Sequence, residues 1–221
     1  MEGEAENEQG VIRKGRRKMI KLLYGTGNPA KFGYMRTILS PLPIRLLSLQ
    51  EMPFPAPAAE ETGSSPLENA RQKSRLYFAA YQIPVFSCDS GLYFEGLPEE
   101  VQPGVHVRRP QGKRLNDEEM TAYYAALASR FGGRLTARYR NAVSLMTGAE
   151  RVFERMDESL SSDPFFIVSK PRGRRAKGFP LDCLSVEIKS GRCYAELADY
   201  PAEESSVGEG FRRFFSQSLG L

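Results

Sequence analysis

The chain has 221 residues, 31 Lys and Arg against 27 Asp and Glu for a formal net charge of +4, an apolar share of 41% and a mean hydropathy of -0.42. That is long enough to bury a core without disulfide or metal staples, the balance excludes disordered chains, and no apolar run approaches the roughly 20 residues that cross a bilayer. A single histidine, His106, argues against Ser-His-Asp triads and His-rich zinc sites, and Cys88, Cys183 and Cys193, with no C-x-x-C pair, read as reduced thiols.

Residues 1–18 carry five bases, four acids and several glycines but no apolar stretch of the kind a secretory signal needs. They are expected to form a disordered tail on a cytoplasmic protein, with Met19 as an alternative start. The remaining charge is mild, which argues against nucleic acid as a partner. The apolar run Met19 to Tyr24 predicts a strand covered on both faces in a parallel sheet. It ends in Gly25-Thr26-Gly27-Asn28, and Pro29 after an Asn cap opens a helix through Leu39.

A second strand is predicted from Ile44 to Leu49, followed by a proline-rich loop and Glu60-Glu61-Thr62-Gly63. Ser65-Pro66-Leu67-Glu68 is a capping box with Pro at the first helical position, and Leu67, Ala70, Ser74, Tyr77, Phe78 and Tyr81 follow one face of the helix it opens. Val85 to Cys88 reads as a short buried strand with Asp89 at its end. A loop through Pro103-Gly104 precedes a helix over 117–131, capped by Asn116.

The period then drops to two residues from Leu135 to Leu145, with a hairpin turn at Thr147-Gly148 leading into a strand from Arg151. Phe165 to Val168 is a strand, as is Arg192 to Leu197 after the segment Phe179 to Ile188. A terminal helix over about 202–218 contains Gly208 and Gly210.

A strand-to-helix turn presents free backbone N–H groups and the positive end of a helix dipole, which suits an anion. In Gly25 to Lys31 the glycines would let the backbone close on phosphate oxygens, Thr26 and Asn28 add polar side chains, and Lys31 adds charge; the alternative is an ordinary tight turn. The pattern is not a Walker P-loop. Asp89 at a strand end and Glu61 before a helix could together hold Mg²⁺, which takes oxygen ligands, or could be plain turn and cap carboxylates. Glu68 belongs to its capping box. Lys73 is either solvated or in reach of phosphate.

Gly25-Thr26-Gly27-Asn28-x-x-Lys31, Glu61-Thr62-Gly63 with Glu68-Asn69-Ala70-x-x-Lys73, Asp89-Ser90-Gly91-Leu92, Pro103-Gly104-Val105, Gly178-Phe179-x-x-Asp182 and Ala195-Glu196-Leu197 follow one another as in the inosine triphosphate pyrophosphatase family, which the chain resembles over residues 19–212. The resemblance implies an α/β fold, an elongated mixed β-sheet flanked by helices in two lobes, forming one domain over residues 19–221 and a homodimer. It implies Mg²⁺-dependent hydrolysis of non-standard purine nucleoside triphosphates to a monophosphate and pyrophosphate. Thr26, Asn28, Lys31 and Lys73 would hold the phosphate chain, with Gly27 and Ser90 also binding substrate. Glu61 and Asp89 would bind metal, Asp89 would activate water with Lys73 as its catalytic partner, Phe179 would stack on the purine and Asp182 would line the base pocket.

Three positions depart from the family pattern. Cys88 stands where an acid is usual, Gly208-Glu209-Gly210 where Ser-His-Arg is usual, and Pro180-Leu181 beside Phe179 where a glycine and an aromatic are usual. These departures leave open a nucleotide sensor that binds without turnover. The basic loop Lys170 to Lys177 is a solvated loop, an extra phosphate contact or an RNA-binding element. Arg109 matches a family arginine, and His106 is expected at a loop or pocket rim.

Overall fold

The structure is a computed structural model, and it describes residues 19–173, 178–197 and 205–221. The tail 1–18, residues 174–177 of the basic loop and the predicted start of the last helix lie outside the described residues. Strand β1 (Ile20–Tyr24) runs into the turn, where Asn28 Oδ1 accepts from the N–H groups of Ala30 at 2.9 Å and Lys31 at 3.4 Å and so starts helix α1 (Pro29–Leu39). Met35, Ile38 and Leu39 are its buried stripe. Strand β2 (Ile44–Leu47) pairs parallel to β1.

Helix α2 (Pro66–Tyr81) is capped by Ser65 Oγ, which accepts from Glu68 N–H at 3.3 Å. The Glu68 carboxylate accepts mainly from Ser64, its N–H at 2.7 Å and its hydroxyl at 3.0 Å, with the N–H of Ser65 a weaker partner. Two donors on one residue outcompete the single N–H of Ser65.

With β3 at Val85–Phe94, β4 at Arg134–Gly148, β5 at Arg151–Arg155, β6 at Phe165–Val168 and β7 at Ser185–Glu187, the sheet has the order β2-β1-β3-β4-β6-β7, and β5 lies beside β4. The two pairings of β1 are parallel and those among β3 to β7 antiparallel, which makes the sheet mixed. Strand β3 (Val85–Phe94) is longer than the predicted Val85 to Cys88, so Asp89 lies within the strand rather than at its end. Its pairing with β1 stops at Phe86, whereas β4 (Arg134–Gly148) pairs with it through Phe94. The antiparallel partner keeps the backbone satisfied past Asp89, while on the other edge Asp89 lies in the gap between Phe86, where β1 stops, and Leu92, which is bridged by Gly104.

Core residues alternate along β3. Phe86 and Cys88 join Leu22, Val143, Leu145 and the inner faces of α1 and α4 (Ser206–Leu219) in one cluster. Leu92 and Phe94 join Leu135, Phe165, Ile167 and helix α3 (Asp117–Arg130) in a second, which leaves Asp89 to Gly91 at the junction. Val85 turns to the opposite face, under Tyr77 of α2.

Helix α4 contains both glycines, and Gly210 is there for packing: a Cβ would overlap the carbonyl oxygen of Ser159. The expected strand Arg192 to Leu197 is instead a single bridge from Cys193 to Val186 followed by a 3-10 turn at Tyr194–Glu196. Tyr194 packs its ring 5.5 Å from that of Phe165, and Cys193 Sγ donates to the Asp182 carbonyl at 3.1 Å; both contacts pull the chain off the sheet. No helix among the described residues is long and apolar enough to cross a membrane.

Candidate active site

The turn after β1 is shaped by close approach. A side chain at Gly25 would overlap Ser87 Oγ and the Tyr77 ring, whereas at Gly27 it would meet nothing within 4 Å, so the turn is open there. Thr26 Oγ1 accepts from Asn28 N–H at 3.2 Å. Asn28 spends its oxygen on the helix cap and points its Nδ2 at the Gly178 carbonyl, 3.5 Å away. Lys31 is half-buried one turn into α1, and its ammonium makes no hydrogen bond or ion pair among the described residues. Burial pushes its ammonium pKa down, Asp89 opposes that shift, and Lys73 adds to it.

Beside this turn, α2 and β3 assemble a charged cluster. Lys73 Nζ is 2.9 Å from Glu61 Oε1 and 3.3 Å from Asp89 Oδ1. Lys73 is buried, 8% exposed, so the reading of a solvated lysine is overturned. The helix carries the long stem inward on the face of Tyr77 and Ala70, and the two acids compensate its head. Burial alone would lower the lysine pKa, but Asp89 and Glu61 outweigh it and raise it. The half-exposed Glu61 carboxyl has a lowered pKa: burial works against ionisation, and Lys73, Lys31 and Arg109 overcome it.

Asn69, which the sequence reading quoted but gave no role, completes the cluster: Nδ2 donates to Asp89 Oδ2 at 2.9 Å and Oδ1 accepts from Gly63 N–H at 2.8 Å. Its i, i+4 relation to Lys73 on one helix was the available signal.

The cluster can hold a divalent cation. Two carboxylates from separate elements already converge on one positive charge, and hard cations that bind nucleotides commonly use one or two carboxylates with substrate phosphates completing the shell. No group of three or more His, Cys, Asp or Glu suited to a metal occurs among the described residues, so two carboxylates would leave the rest of the shell to water or substrate oxygens.

The other predicted residues fall around this centre unevenly. Ser90 points to the opposite face of β3, where Oγ donates to Asn141 Oδ1 at 2.7 Å. Cys88 shares that face, and burial pushes its thiol pKa up to about 12, so it is a neutral packing group where the family pattern has an acid. Gly178, at φ +89, lies against Asn28 and Ala30 and brings half-buried Phe179 next to the turn. Asp182 lies farther along the same segment, near Tyr139, and burial raises its carboxyl pKa to about 6. His106 and Glu209 are exposed, as is Arg109, whose charge reaches Glu61.

Known proteins resemble this chain over most of its length. A relative from Rhodopseudomonas palustris named dITP/XTP pyrophosphatase is 38% identical over 189 residues, covering 82% of this chain and 84% of that protein. Another of that name from Geobacter sulfurreducens is 29% identical over 196 residues, covering 82% and 96%. A HAM1 protein structure from Coxiella burnetii superposes with a TM-score of 0.72 at 24% identity over 92% of this chain and all of that one, a likeness of fold. The family model matches residues 22–208, from β1 into α4 and across the whole Lys73 cluster, and the chain belongs to the Ham1 family.

Proposed function

We propose that this chain is a nucleoside triphosphate pyrophosphatase acting on non-standard purine nucleotides, as the names of its relatives say of them. The observation that carries the reading is the Lys73 bridge between Glu61 and Asp89, set beside the Asn28-capped end of α1 and within electrostatic reach of the Lys31 ammonium. Substrate phosphates enter at the open Gly27 side, where the α1 dipole, Lys31 and Lys73 meet their charge. Asp89 accepts a proton from water as the water oxygen bonds to the α-phosphorus. The bond from that phosphorus to the β-bridging oxygen breaks, leaving monophosphate and pyrophosphate. Glu61 and Asp89 would hold Mg²⁺, which when bound would supply charge neutralisation for the phosphates. Phe179 stacks on the base.

The test is pyrophosphate release from dITP, XTP and the standard nucleotides with Mg²⁺. Turnover of the non-standard purines, lost in Asp89→Asn, is expected; no release from any nucleotide overturns the reading. Cys88, neutral where an acid is usual, favours a second reading, saturable triphosphate binding without turnover, and hydrolysis above the Asp89→Asn control excludes it.

A further inference from the structure

The geometry points to Asn69 as the positioning residue that sets the spacing of the Asp89 and Glu61 carboxylates, an inference that rests on the pyrophosphatase reading for its kinetic arm. Asn69 is 3% exposed on α2, one helical turn before Lys73. Both ends of its amide are used: Nδ2 donates to Asp89 Oδ2 at 2.9 Å, and Oδ1 accepts from Gly63 N–H at 2.8 Å. Gly63 can only donate through its N–H, which fixes the orientation of the amide. At Gly63 a Cβ would lie 2.6 Å from Glu68 Cβ and 2.8 Å from Asn69 Oδ1, so the loop backbone reaches Asn69 only because no side chain intervenes.

Glu61 is two residues from that anchor. One buried amide therefore ties the strand bearing one acid and the loop bearing the other to the same helix. With Oδ2 of Asp89 occupied, Oδ1 is the oxygen turned to Lys73. Hydrogen bonds that orient ligating carboxylates are worth roughly 10–100-fold in metal affinity or activity. Asn69 touches no reacting atom; its effect passes through Asp89 and Glu61.

The test compares Asn69→Ala with wild type in a double-mutant cycle with Asp89→Asn. Three quantities are read: kcat and KM for pyrophosphate release, the affinity of the nucleotide-free protein for Mn²⁺ by electron paramagnetic resonance, and the thermal midpoint. The expected result is a fall in kcat of about 10–100-fold with KM changed less than about threefold, and Mn²⁺ bound about tenfold more weakly. In the Asp89→Asn background, where turnover is lost, the cycle is read in Mn²⁺ affinity, and the same change is expected to cost less than about threefold there.

Wild-type kcat and Mn²⁺ affinity in Asn69→Ala would overturn the assignment, and so would equal losses in both backgrounds, the mark of a purely structural role. Asn69→Ser, with a small polar side chain, takes its place if the alanine variant does not fold. If wild type releases no pyrophosphate the functional reading fails, and the Mn²⁺ arm still decides the role of Asn69.

Discussion

Lys73 Nζ lies 3.3 Å from Asp89 Oδ1, joining a helix to a strand sixteen positions away, and both groups are buried. The pair makes Asp89 part of a compensated cluster instead of an isolated buried acid. Replacing Lys73 with Met keeps the stem and removes the charge. The expected loss of pyrophosphate release is on the order of 10²–10³-fold, since the group removed faces developing charge. Steady-state kinetics at saturating Mg²⁺ measures it, and a loss under threefold would contradict the role given to Lys73.

Asp182 gives the chain a pH signature. Burial raises its carboxyl to about 6, so between about 4, its ordinary value, and 6 the folded state holds a proton that the unfolded state releases. Stability from this group therefore falls as pH rises through that window, and the penalty is complete above it. Asp182→Asn should gain on the order of 1–3 kcal/mol at pH 7 and nothing at pH 3.5. Urea unfolding of both proteins across pH 3.5 to 7 checks this, because the difference between them cancels the other carboxylates; a constant difference would refute it.

Gly210→Ala should lower stability by about 1–3 kcal/mol, because a Cβ there overlaps backbone at Ser159 and a carbonyl cannot rotate away. An alanine inside a helix would otherwise be worth a gain of about 1 kcal/mol over glycine, so the sign of the change in thermal midpoint decides between packing and propensity.

All three cysteines are buried and free, and the Cys88 thiol is held neutral far above physiological pH. Native protein at pH 8 should react with fewer than one equivalent of a disulfide reagent within minutes, against three in guanidinium. Cys88→Ser should retain pyrophosphate release within about threefold. Fast native labelling at Cys88 would mean that its face of β3 is open.

Much of the site was legible because its pieces are local. The Asn28 cap, the Ser65 cap and the burial of β1 each depend on residues within a turn or a strand, where propensity and hydrogen bonding act over a few positions. The same locality misled at two places. Glu68 is drawn mainly to Ser64 rather than to Ser65, and Asp89 continues a strand whose apolar run ends before it. Both outcomes turned on a competing partner that the local pattern does not contain: a second donor in one case, strand β4 in the other.

By itself the sequence determined the helices and most of the strands, the turn from Gly25 to Lys31 and the residue classes available for chemistry, because periodicity, capping and composition are written along the chain. Only the tertiary structure decided that Lys73 is buried between Glu61 and Asp89, that Asn69 clamps both of their elements, and that Ser90 and Cys88 turn away. The physical reason is that a side chain's partners come from elements brought together by packing, and a charge is compensated by whatever lies within a few ångströms in space, not by its neighbours in the chain.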